Sequence, residues 1–142
     1  MARRSKGQPI SADIDIYIAD TLGELGLFFR VAPISFMGKS LVDLGGQNPL
    51  EPARLGSAVL FGPHMRNFPD IAETLVASGA AELITDANTL TIALNRLLQD
   101  PKLCRIRGDL GKEVAGSHND VLQQFIKELQ PFLEAISSKC PV

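Results

Sequence analysis

The sequence predicts an α/β fold: a Rossmann-like parallel sheet with helices on both faces, followed by C-terminal helices. Two observations predict it. Short, apolar, β-prone runs alternate with stretches whose apolar residues recur at helical spacing. The runs are apolar almost throughout rather than every second residue, as strands covered on both faces must be.

Residues 1–13 are polar and carry Gly7, Pro9 and Ser11, so they read as irregular. Residues 15–19 form the first predicted strand. Thr21, with Glu24 three residues on, has the form of a capping box opening a helix that runs to about Val31 on Leu22, Leu25, Phe28 and Phe29, where Pro33 stops it. A second strand occupies residues 34–37, and Asn48-Pro49 opens a short helix ending near Gly56. A third strand at 58–61 is broken by Gly62-Pro63. Asn67 caps a predicted helix to Ser78, with Gly79 ending it. A fourth strand at 81–85 precedes a helix over 86–99, and two further helices are expected at about 102–115 and 118–136, the last capped by Ser117 or Asn119. Four strands are few for a doubly wound nucleotide domain, so further strands are expected to complete the sheet.

The composition bounds the function. The 142 residues are 45% hydrophobic with a net charge of −2, which suits one packed domain and no nucleic-acid partner. Arg3, Arg4 and Lys6 make a short basic start, and Lys102, Arg105, Arg107 and Lys112 cluster later. Cys104 and Cys140 stand in no metal-ligand or disulfide pattern, so plain thiols, no metal and a reducing cytosol are expected. The N-terminus lacks the apolar segment of a secretory signal, and no apolar run reaches the length of a membrane span.

Ligands of open α/β sheets sit beyond the carboxyl ends of the strands, which directs attention to three loops. The first contains Leu22, Gly23 and Glu24: a helix start with free N–H groups, a glycine that admits close approach, and a carboxylate for sugar hydroxyls or for capping. The second is GGQNPLEP over residues 45–52. Its glycines can wrap a ligand, the helix opened by Asn48, Pro49 and Leu50 can face a phosphate, and Glu51 can take the paired hydroxyls of a ribose. The third holds His64 and Arg66, either as cleft residues or as structural ones. No nucleophile triad, P-loop or catalytic carboxylate pair is present, so these residues describe a nucleotide-binding place without a reaction centre.

These segments resemble the C-terminal domain of the 3-deoxy-D-manno-octulosonic acid (Kdo) transferases, GT-B glycosyltransferases of lipopolysaccharide synthesis. The resemblance rests on IADTLGELGLFFR at 18–30, GGQNPLEPA at 45–53, and VLFGPH at 59–64 with Asn67-Phe68, in that order. It implies transfer of Kdo from CMP-Kdo to a lipid A precursor at the cytoplasmic face of the inner membrane, with no cofactor. It implies CMP contacts at Leu22, Gly23, Glu24, Asn48, Pro49, Leu50 and Glu51. The family often has His where this chain has Gln47 and Gly where it has Lys39; both residues, with His64 and Arg66, are kept as possible cleft residues.

The resemblance further implies a partial domain over residues 1–142, since a two-domain transferase runs to about three times this length. The acceptor-binding domain with its membrane anchor and catalytic base is expected to be absent, as are the first strands of the donor domain. The chain alone is then expected to be an inactive fragment. Two other readings stand beside this one: a GT-B transferase using another nucleotide, and a non-enzymatic truncated product. The apolar face of the last helix, from Val121 to Ile136, is expected to pack against protein rather than lie on a membrane.

Overall fold

The computed structural model describes residues 1–137, with side chains for 1–117 and 126–131. Five strands and five α-helices follow in chain order: β1 (Ala2–Arg3), β2 (Tyr17–Ile18), α1 (Leu25–Val31), β3 (Ile34–Phe36), α2 (Leu50–Arg54), β4 (Ala58–Phe61), α3 (Pro69–Ala77), β5 (Ala81–Leu83), α4 (Ala87–Gln99) and α5 (Pro101–Ser137). A single 3-10 turn, Arg4–Lys6, follows β1. All pairing is parallel. The strands form two sheets, β1-β2 and β3-β4-β5.

Every residue of β4 is buried. Its side chains alternate between two cores. Val59 and Phe61 join Met37, Ala53, Met65, Ala72 and Leu75 on one face. Ala58 and Leu60 join Ile84, Ala93, Leu97 and Cys104 on the other. This is why the strand reads as an unbroken apolar run. Burying side chains as large as Leu60 and Phe61 contributes on the order of 1.5–3 kcal/mol each.

α5 packs along α2, and Gly108 and Gly111, both buried, are the points of closest approach. A Cβ on Gly108 would lie 2.1 Å from the Gly56 carbonyl oxygen, and one on Gly111 would lie 3.1 Å from that of Ala53. Two helix glycines thus let the backbones touch.

The structure corrects four expectations. The strand expected at 15–19 is only Tyr17–Ile18, and it pairs with β1 in a stretch expected to be irregular. Ala2–Arg3 carries no strand pattern of its own; it is extended because the Ala2 N–H donates to the Ile16 carbonyl at 2.9 Å and Ala2 is buried. The main sheet therefore has three strands among the described residues rather than four. The capping box of Thr21 and Glu24 is not formed, because the Glu24 carboxylate turns to Arg4 instead. Asn67 does not cap α3, which begins one residue later with Phe68 at the cap position and Pro69 in its first turn. The two helices expected at 102–115 and 118–136 are one, α5. Ser117 starts no new helix, since its hydroxyl bonds back to the Val114 carbonyl at 2.7 Å. By contrast α4 starts as read, with Asp86 accepting from the Thr89 N–H at 2.8 Å and Thr89 Oγ1 accepting from the Asp86 N–H at 3.0 Å.

In the C-terminal part of α5, Ile126 and Leu129 are exposed. The remaining side chains of the apolar face expected there, together with those of Asn119 and Cys140, lie outside the described residues. No helix among the described residues is long and apolar enough to cross a membrane.

Two glycines of α5 separate packing from propensity. Gly108→Ala should destabilise the fold by about 1–3 kcal/mol through overpacking, despite a gain of about 1 kcal/mol in helix propensity. Gly116→Ala, whose Cβ meets nothing within 4 Å, should stabilise by up to about 1 kcal/mol. Urea unfolding of the two variants checks both signs.

Candidate functional site

The first loop is held from outside. Ser5 donates its N–H to Asp20 Oδ1 at 2.9 Å and its hydroxyl to Asp20 Oδ2 at 2.8 Å. Arg4 grips Glu24 with two bonds, Nη2 to Oε1 at 2.5 Å and Nε to Oε2 at 3.1 Å, and Thr21 donates its hydroxyl to Glu24 as well. These donors hold the Glu24 carboxyl down at about 2, the Arg4 bond being the largest cause and Thr21 the next. The bonds from Ser5 likewise lower Asp20. Part of the basic start read from sequence is therefore a clamp on this loop. Above the clamp the tip is open: Leu22 is fully exposed, and Gly23 has φ 80 with nothing near its Cβ position. Glycine is required there for its backbone angle and not for space.

The second and third loops are pressed into one another. Ser40, fully buried, donates its hydroxyl to the Met37 carbonyl at 2.6 Å and accepts the Gly62 N–H at 2.7 Å. Its own carbonyl accepts from the His64 N–H at 3.0 Å. This serine ties the carboxyl end of β3 to that of β4. Gly45 and Gly46 have φ 85 and 72; a Cβ on them would lie 2.6 Å from the Asn67 amide and 2.3 Å from Met65 Sδ. Sequence suggested that these glycines wrap a ligand. Both are buried, and what they wrap is the neighbouring loop. Asn67, misread as a cap, packs here and donates its N–H to the Gly45 carbonyl at 3.1 Å.

Beyond the glycines, Asn48 Oδ1 accepts the Leu50 N–H at 3.0 Å and Asn48 Nδ2 donates to Glu51 Oε1 at 3.4 Å. Asn48 thus serves the opening of α2 as expected, although Pro49 occupies the cap position itself. Pro49 and Pro52 have no N–H, and that of Leu50 is taken. Few main-chain donors are left for a phosphate at this helix end, so the polar character of the site comes from the side chains of Asn48, Glu51 and Arg54.

A groove of about 350 Å³ runs between α1 and α2, lined by Gly26, Phe29, Asn48, Leu50, Glu51 and Arg54. It brings together most of the second loop's candidates, with buried Pro49 beneath. Leu22, Gly23 and Glu24 do not line it; they sit just before the α1 residues that do. His64 and Arg66 line a different hollow, of about 470 Å³, where Arg66 pairs with Asp43 at 2.9 Å and His64 Nδ1 lies 3.9 Å from the same oxygen. Lys39 and Gln47 are exposed and line neither hollow. Lys39 stands at φ 62, where a side chain costs about 1 kcal/mol or more. That angle explains why glycine suits this position.

Sequence reading missed Arg4, Ser40 and Asp43. Each acts through a partner about 20 or more residues away along the chain. The only signal for the first was a basic start of unassigned purpose.

No family model matches the chain. Among curated proteins it is 35% identical over 133 residues to a 3-deoxy-D-manno-octulosonic acid transferase of Haemophilus influenzae, covering 93% of this chain and 31% of that protein. It is 33% identical over 134 residues to the enzyme of that name from Bordetella pertussis, again covering 93% and 31%. The chain thus spans about a third of the length of these relatives. Among solved structures it superposes on the C-terminal CMP-Kdo binding domain of WaaA from Acinetobacter baumannii with a TM-score of 0.75 and 31% identity, covering 80% of this chain and 60% of that one.

Because the Glu24 carboxyl is held low, its bonds contribute stability that is complete above 4.5 and is lost as pH falls toward 2. Arg4→Ala should return the Glu24 carboxyl toward the ordinary range near 4.3. A carbon-detected NMR titration of Glu24 that still reads about 2 in this variant would remove Arg4 as the main cause.

Proposed function

We propose, from the premise that this chain is a relative of the C-terminal domain of the Kdo transferases in sequence and fold, that it binds the CMP part of CMP-Kdo in the groove between α1 and α2. One observation carries this reading: the groove places a carboxylate and an amide, Glu51 and Asn48, over an apolar floor that includes Phe29 and Leu50. Ribose presents two hydroxyl donors at fixed separation, and Glu51 accepts them. The Asn48 amide is close enough to Glu51 to orient its carboxylate. A nucleotide base finds an apolar wall at Phe29. The open tip at Leu22 and Gly23 approaches the donor from the α1 side, with Glu24 acting as the anchor of that tip.

In the complete reaction the CMP phosphate leaves the anomeric carbon of Kdo while a base removes the proton of the acceptor hydroxyl. The candidate residues here bind and orient the leaving group. The base, the lipid A precursor and the contact with the inner membrane belong in this proposal to an acceptor-binding domain beyond these 142 residues. Residues 1–142 then act as part of the GT-B C-terminal domain.

Calorimetry tests the site. CMP should bind this chain more tightly than UDP, and Glu51→Ala should weaken CMP at least tenfold, about 1.4 kcal/mol, with unchanged thermal stability because Glu51 is exposed. Equal affinity for both nucleotides, or an unaffected variant, would count against the reading. The 142-residue chain on its own should transfer no Kdo to a lipid A precursor, as read by a radiolabel assay.

A further inference from the structure

Lys39 is the one described residue other than glycine at positive φ, at 62. A lysine there is strained, because its Cβ crowds the main chain. Such strain persists where something else offsets it. Packing does not, since the side chain is exposed. Nor does a bond of its own, since the ammonium has no ion pair or hydrogen bond among the described residues. Main-chain bonds fix where the residue stands. It follows β3 at the carboxyl end of the strand, the end at which open α/β sheets bind ligands. Its carbonyl accepts the Gly46 N–H at 3.3 Å, and the Ser40 carbonyl beside it accepts the His64 N–H at 3.0 Å. Lys39 thus stands where the second and third loops meet. Gly46 is two residues before Asn48, a span of at most about 7 Å. Lys39 therefore lies near the Asn48 end of the groove, and its four-carbon stem carries the charge from there.

The other cations at these loops are engaged. Arg4 holds Glu24, Arg66 holds Asp43, and Arg30 donates to the Gly26 carbonyl at 3.1 Å. Arg54, in the groove wall, has a partner as well. Glu51 adds a negative charge to the groove, and the opening of α2 keeps few main-chain donors. A phosphate arriving with a nucleotide meets a carboxylate there and little to balance it.

We infer that the Lys39 ammonium binds the phosphate of the nucleotide, and that this contact is what a strained lysine supplies where glycine would fit without strain. The assignment rests on the proposed binding of CMP in the groove. It gives a partner to the phosphate, beside Glu51 for the ribose and Phe29 for the base.

Calorimetry on the full 142-residue chain compares CMP with cytidine, which keeps the base and the ribose but lacks the phosphate. The chain should bind CMP more tightly than cytidine. Lys39→Gln, which keeps the strain and removes the charge, should weaken CMP about fivefold and leave cytidine unchanged. Lys39→Arg should keep the affinity for CMP. Lys39→Gly should weaken CMP as Lys39→Gln does, yet raise the melting temperature by about 2–4 °C, since glycine is unstrained at this angle. Weaker binding joined to higher stability is not what the loss of a purely structural side chain gives. Unchanged CMP affinity in Lys39→Gln, an equal loss for cytidine, a loss that Lys39→Arg shares, or a lower melting temperature in Lys39→Gly each overturns the inference. Glu51→Ala separates the two readings, because it should weaken CMP and cytidine alike. CMP bound no more tightly than UDP sinks the groove reading and this one with it. CMP preferred over UDP and weakened by Glu51→Ala, but indifferent to Lys39→Gln, sinks this one alone.

Discussion

The backbone of α5 touches the backbone that follows α2, at Gly108 against the carbonyl of Gly56. α2 is five residues long, too short to hold helical form on its own. What keeps it in place is the close approach of α5 at Gly108 and Gly111 on one side and the buried Pro52 and Ala53 beneath it. The candidate groove opens where α2 begins, so Asn48 and Glu51 inherit their positions from a contact at the helix's other end. β4 completes the arrangement, since its burial on both faces fixes the platform from which the second and third loops depart.

Charge is used mainly to tie segments together. Arg4 and Ser5 draw the chain start onto the first loop through Glu24 and Asp20. Glu82 on β5 receives both Arg96 of α4 and Arg107 of α5, with Arg107 largely buried at 17% exposure. Of the basic cluster at 102–112, Arg107 is accounted for in this way, whereas Lys112 pairs within α5 with Asp109. The exposed pairs among these contribute little stability each, and the side-by-side placement of the segments rests on the buried cores.

The elements legible in the sequence were those whose signal is local. β4 declared itself by an unbroken apolar run, α4 by leucines at helical spacing, Leu90, Leu94 and Leu97, and α2 by Asn48 and the prolines around it. Misread elements depended on distant partners. Ala2–Arg3 becomes a strand only because Ile16 and Tyr17 come alongside, and Glu24 leaves its expected cap because Arg4 offers a stronger bond. α5 continues through Gly116 and Ser117, two weak helix formers, next to buried Ala115. The candidate residues divide in the same manner. Asn48, Leu50 and Glu51 share one groove, as their spacing suggested, whereas His64 and Arg66 were drawn to a separate hollow by Asp43, which no motif announced.

The burial of Gly45 and Gly46 under Met65 and Asn67 bears on how this part of the chain can vary over time. The course of the second loop is set jointly by its own glycines, at φ 85 and 72, and by side chains about 20 residues away. A bulkier residue at 65 or 67 has no room unless the glycines move, and a side chain on either glycine needs a smaller neighbour first. The two loops are therefore constrained to drift as a pair. A single exchange in the third loop would alter the second before any residue that meets a ligand had changed.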